Sequence, residues 1–99
     1  MAWGYRAMFV LLDTYKRRHG CDTLRQMISR YAPPVENHTA AYIDTVANRS
    51  FVNPDSRIST DNREVMIPIV SAMSFVENGV PAVAADVKAG WELFIKYRP

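Results

Sequence analysis

The chain has one cysteine, two histidines, four glycines, and a longest run of large apolar residues, Met8 to Leu12, only five long. One cysteine, Cys21, excludes a disulfide within the chain. A zinc site of the usual Cys/His kind would need nearly all of Cys21, His19 and His38 in one place, plus a carboxylate. No metal and no cofactor are therefore expected, and a Ser-His-Asp or Cys-His catalytic pair starts from a thin inventory. Five apolar residues fall far short of the roughly 20 that a membrane-crossing helix needs. A signal peptide would place positive charge before its apolar run, whereas here Asp13, Lys16, Arg17 and Arg18 follow it. The cytoplasm of the producing cell is the default location. There is no Gly-rich phosphate loop, no internal repeat, no low-complexity tract and no alternating run long enough for a sheet. Net charge is +2, from 12 basic and 10 acidic residues, too small an excess to argue for nucleic acid.

What the 99 residues do contain is a globular composition, 48% apolar and 22% charged. That length holds one domain. Five helices, or six if one divides, are expected from the spacing of apolar residues. The first runs from Ala2 to His19, with Tyr5, Met8, Phe9, Leu12 and Tyr15 on one stripe and Gly20 as a stop. Arg6, Asp13 and Arg17 fall on its opposite side. The second opens on the capping box Thr23 to Gln26, carries Leu24, Met27, Ile28 and Tyr31, and ends before Pro33-Pro34. The third runs from His38 or Thr39 to Asn48, capped by Asn37 or Thr39. Arg49 to Ser59 reads as a loop, with Phe51, Val52 and Ile58 tucked against the core. The fourth begins near Asp61, where Asp61 and Glu64 have capping-box spacing, and closes at Asn78-Gly79. Pro68 predicts a kink or a break in it, and a short strand over 66–70 is the competing reading. The fifth begins at Pro81 and carries Val87, Trp91, Phe94 and Ile95. The expected architecture is a compact all-α, bundle-like domain. Tyr5, Phe9, Leu12, Leu24, Ile28, Ile43, Val46, Ile69, Met73, Trp91 and Phe94 should be buried.

Polar chemistry concentrates between Arg30 and Tyr42, where a rigid Pro33-Pro34 corner is followed by Glu36, Asn37, His38 and Thr39. Two readings stand. In the first, these are helix-end residues: caps for the third helix, with Arg30 clamped to Glu36. In the second, Glu36, Asn37, Thr39 and Tyr42 line a pocket for a sugar or a peptide, with Arg6, Arg30 and Trp91 as further binding candidates. If the chain were an enzyme, a protonated carboxyl assisting glycosidic cleavage would be sought at Glu36 first and Glu77 second. Glu92 could pair with Glu77, His38 is a weak base candidate, and Trp3 or Trp91 could stack on a sugar.

Charge is uneven. Residues 1–30 hold six basic against two acidic residues, net +4, and residues 31–99 hold six against eight, net −2. Lys16-Arg17-Arg18 with Arg25 could meet nucleic acid or an acidic partner. No helix-turn-helix, zinc finger or aromatic platform supports a sequence reader, so nucleic acid is disfavoured as the partner.

Two blocks of residues carry a resemblance. Gly4-x-Arg6-Ala7 with Leu11-Leu12-x-x-Tyr15 is one. Thr23-Leu24-x-x-Met27-Ile28-x-Arg30-Tyr31-Ala32-Pro33-Pro34-x-Glu36-Asn37-x-Thr39-x-x-Tyr42, with Val46, is the other. Over residues 1–58 they resemble the second half of a small phage and prophage family labelled as structural or virion proteins. Met66 to Val70, Glu77-Asn78-Gly79 and Ala89-Gly90-Trp91 look like the versions integrated in Bacteroides-type gut anaerobes. Longer members carry an upstream Asn-Pro-Gly-Asn-(Ile or Leu)-Arg motif that this sequence does not contain, so the chain reads as the C-terminal part of a longer ancestral domain. They also look distantly like lysozyme-like cell-wall proteins. The resemblance implies a non-catalytic structural or protein-interaction module, virion-associated, with protein partners and cell-wall glycan as a further partner class; the 11% aromatic residues, five methionines and the missing upstream segment point to apolar surface that a homo-oligomer would cover. It transfers no catalytic residue.

Overall fold

The computed structural model describes residues 1–34 and 38–99. The described residues form five α-helices: α1 (Ala2–His19), α2 (Leu24–Tyr31), α3 (Thr39–Ser50), α4 (Arg63–Asn78) and α5 (Ala84–Lys96). They contain no strand; a single isolated bridge joins Thr23 to Arg57. The fold is all-α, as the spacing predicts. α1 packs chiefly on α5, α3 on α4, and α2 closes one side against α3 and α1.

Each helix begins and ends for local reasons. At α2 the Thr23 side chain accepts from Gln26 N while the Gln26 side chain accepts from Thr23 N, so both exposed donors are satisfied. Thr23→Ala is expected to cost about 1 kcal/mol, measurable by chemical denaturation. Gly20 and Gly79 end α1 and α4 in the left-handed region, at φ 65° and 73°. α4 begins one residue later than its spacing suggests. Asn62, not Asp61, is the cap, its Oδ1 accepting from Glu64 N at 3.1 Å. Asp61 is drawn away by Arg98 and Arg17. α4 runs unbroken through Pro68, which rules out the strand reading. The carbonyl deprived of a partner by Pro68 is that of exposed Glu64, where water can serve it. α5 begins at Ala84 rather than Pro81, because Ala82 packs on the core and Val83 is extended.

The buried side chains form one cluster that includes Phe9, Leu12, Leu24, Ile28, Ile43, Val46, Ile69, Met73, Trp91 and Phe94. Phe9, Trp91 and Phe94 make an aromatic knot, with Phe9 edge-on to Trp91 at 5.1 Å. Tyr5, expected in the core, is half-buried because its hydroxyl reaches out to Ser74 Oγ at 3.0 Å. The α3–α4 loop lies along the start of α2, through Arg25 N to Pro54 O (3.0 Å) and Ile58 N to Asp22 O (2.9 Å). Ile58 is buried there and Val52 partly so. Phe51 departs from expectation. It ends α3 in the left-handed region at φ 58°, which turns its ring away from the core and leaves it 95% exposed.

Among the described residues one carboxylate is buried. Asp13 is 5% exposed and accepts from Arg17 Nε at 2.9 and 3.0 Å, from Thr60 Oγ1 at 2.5 Å and from Arg98 at 3.4 Å. Arg6, which shares the polar side of α1 with Asp13 by spacing, does not pair with it. Arg6 instead donates to Tyr97 O, because α5 lies against that part of α1.

Candidate functional site

The last two turns of α4 place Ser74, Glu77 and Asn78 at i, i+3 and i+4, on one face. Tyr42 of α3 reaches this face and donates its hydroxyl to Glu77 Oε1 at 2.9 Å. Tyr31, at the end of α2, stands edge-on to Tyr42 with ring centroids 6.1 Å apart. Burial first, then the Glu77 carboxylate, pushes both phenols above their ordinary range. Both therefore remain protonated donors at neutral pH. On the other side, Tyr5 of α1 bonds Ser74 Oγ, while Asn78 Nδ2 donates to Ser74 O at 3.0 Å. A carbonyl can only accept, so this contact assigns Nδ2 to the Ser74 side and leaves Oδ1 as the amide's other atom.

Glu77 lies between two surface clefts. One, of about 150 Å³, is lined by Met1, Tyr5, Met8 and Val70 together with Ser74, Glu77 and Asn78. The other, of about 320 Å³, is lined by His38, Tyr42, Thr45 and Glu77. A third cleft, of about 590 Å³, runs past Arg25, Ser29, His38 and Thr39.

Of the residues singled out from sequence, the structure brings Tyr42 and Glu77 together. Glu36 and Asn37 lie outside the described residues, so neither the polar-corner pocket nor the Arg30–Glu36 clamp is described. Thr39 is the first residue of α3 rather than its cap. Its hydroxyl donates to Ala32 O at 2.5 Å and ties α3 to the end of α2; His38 takes the cap position without a side-chain bond. Arg30 points to His19 Nε2 (3.3 Å) and stands over the Tyr15 ring. Arg6 sits at the α1–α5 seam, bonded to Tyr97 O and 5.7 Å from the Trp3 ring. Trp91, 4% exposed, is occupied by core packing, whereas Trp3 is 60% exposed. Glu92 lines neither of the Glu77 clefts. Tyr5, Ser74 and Asn78 were not legible as site residues, since nothing in local spacing signals that α1 meets the end of α4.

The basic cluster is largely neutralised within the chain. Lys16 meets Asp22 at 3.0 Å, Arg17 meets Asp13 at 2.9 Å, and Arg25 grips Asp55 at 2.7 Å. Hydrogen bonds from Lys16 and Arg25 hold Asp22 and Asp55 below the usual carboxylate range. Their contribution to stability is complete above that range and is lost as pH falls through the depressed values. Only Arg18 of the four lacks a carboxylate partner among the described residues.

No family model matches the chain. Over 90 residues it is 34% identical to Protein P5 of Pseudoalteromonas phage PM2, in a match covering 90% of this chain and 54% of that protein. The chain thus spans about half the length of the phage protein it matches. No helix among the described residues is long and apolar enough to cross a membrane.

Proposed function

We propose that the chain is a non-catalytic structural or protein-interaction module of phage or prophage origin. The observation that carries this reading is its similarity to a phage protein along nine-tenths of its length. A Bacteroides-type lineage, the further upstream segment of longer members and association with the virion belong to the same reading. So does self-association, which the exposed pair Trp3 and Tyr97, ring centroids 5.8 Å apart, supports as an interface. A tagged chain is expected to co-sediment with particle proteins from a lysate of the parent phage or induced prophage. Retention of nucleic acid or a metabolite without any particle or envelope component would overturn the reading.

A cell-wall hydrolase or glycan-binding reading draws on Glu77, which Tyr42 holds at the edge of a cleft. Glycosidases of the common kind use two carboxyl groups roughly 5–9.5 Å apart. Among the described residues Glu77 is the one carboxylate lining its two clefts, which favours the non-catalytic reading. The expected result is no release of reducing ends from peptidoglycan, with Glu77→Gln indistinguishable from the unmodified chain. Measurable hydrolysis that falls on this substitution would reinstate the enzyme.

A further inference from the structure

The cleft beside Glu77 has a combination of features that packing does not require. We infer that it is a seat for an alkylammonium group, the end of a lysine side chain or a free primary amine. The charge lies on Glu77 Oε2 and the carbon chain against Tyr5, Met8 and Val70.

Three observations converge on this. The first is charge. Asp13, Asp22, Asp55, Asp61 and Glu64 each meet an arginine or lysine of the chain. Glu77 meets none among the described residues, and neither do Asp44, Asp86 and Glu92; of these four, Glu77 is the one that a hydroxyl holds in place, Tyr42 through Oε1, and the one that lines this cleft. A carboxylate held in place by a neutral donor keeps its charge available to a ligand.

The second is position. The C-terminal turn of a helix favours cations. α1, α2, α3 and α5 all carry a basic residue in their last turn, whereas α4 has none and presents Glu77 there instead. An incoming ammonium would satisfy both the carboxylate and the negative end of α4. Asn78, whose Nδ2 is engaged by Ser74 O, leaves Oδ1 as a second acceptor on a residue lining the same cleft. An ammonium carries three donors and no acceptor, which matches a rim supplying acceptors.

The third is size and lining. The cleft is about 150 Å³, well under the roughly 300–1,000 Å³ of sites that enclose a whole drug-sized ligand. It suits one side chain. Tyr5, Met8 and Val70, with exposed Met1 at the open side, give it apolar walls for methylene groups, and lysine-type stems lie readily along such surfaces while the head stays polar. A guanidinium, broader and planar, fits the narrow cleft less well. The lysine source rests on the interaction-module reading above; the amine source does not.

The test is a titration of the full chain, followed by amide NMR shifts at Tyr5, Ser74, Glu77 and Asn78. The probes are n-butylamine and Nα-acetyl-lysine-methylamide, with the Nε-acetylated form of the latter as the uncharged control. Saturable shifts at these positions are expected with both amines and not with the control. Glu77→Gln, a change at an exposed side chain, should weaken binding about tenfold. Met8→Ala should weaken n-butylamine while leaving methylamine unchanged. Tighter binding of the capped lysine than of n-butylamine assigns the seat to a protein partner; the reverse assigns it to a free amine. Absence of shifts with both amines, equal shifts with the acetylated control, or unchanged binding by Glu77→Gln overturns the proposal. Co-sedimentation with particle proteins is read separately, so either idea can fail without the other.

Discussion

Asp13→Ala is expected to lower stability by about 3 kcal/mol and the melting temperature by roughly 10–20 °C. The carboxylate holds together three parts of the chain: Arg17 on its own helix, Thr60 in the α3–α4 loop, and Arg98 beyond α5; exposed Asp61 bridges the same two arginines from outside. Breaking a buried ion pair typically costs about 3–5 kcal/mol when the remaining charge is trapped. Here Arg17 and Arg98 keep side-chain exposures of 55% and 28%, so both can turn toward water and the lower end applies. The residual cost falls on Thr60, whose buried hydroxyl would lose its partner. Thermal unfolding followed by circular dichroism measures the effect. A change under about 0.5 kcal/mol, the usual size at a surface position, would refute the structural role. Arg98→Ala should show a smaller loss in the same direction, since Arg17 and Thr60 would still satisfy Asp13.

Gly90→Ala should destabilise the fold by about 2 kcal/mol even though alanine is the better helix former by about 1 kcal/mol. A Cβ at Gly90 would stand 2.5 Å from Tyr5 Cβ, 2.9 Å from Ala2 O and 3.0 Å from Arg6 N. These are backbone atoms or the root of a side chain, so no rotamer change relieves them. α1 and α5 would have to separate, loosening the knot of Phe9, Trp91 and Phe94. Gly4→Ala supplies the contrast. Nothing lies within 4 Å of a Cβ there, so it should be neutral or stabilising by about 0.5–1 kcal/mol. If both substitutions moved stability in the same direction by the same amount, close packing of α1 on α5 would not be the cause.

Local signals made much of this fold legible. The Thr23–Gln26 capping box, the stops at Gly20 and Gly79 and the apolar face of every helix are properties of short stretches. Failures arise where a distant residue competes for a local role. Asp61 had the spacing of a cap, but Arg98 and Arg17 engage it and Asn62 takes the position. Asp13 lay on the polar side of α1 by spacing, yet Thr60 and Arg98 cover it. The site followed the same rule. Tyr42 and Glu77 were each recognisable as chemically capable residues. Their hydrogen bond spans 35 positions, and that of Tyr5 with Ser74 spans 69, separations that periodicity cannot encode. For Trp91 the expectation of burial holds and the alternative of stacking on a ligand does not, since the core has already claimed its ring.

The partnership of α1 with α5, the first and fifth helices in chain order, also sets the order in which the protein can mature on the ribosome. Phe9 and Leu12 are almost wholly buried, and Phe9 packs on Trp91 and Phe94 of α5. Synthesis runs at roughly 5–20 residues per second. For several seconds, then, the nascent chain carries an α1 whose apolar stripe has no α5 to cover it. α3 and α4, adjacent in sequence, can pair during that interval and offer a partial surface. The α1–α5 seam must wait for α5 to emerge, and until it closes the stripe is open to a chaperone or to another nascent copy.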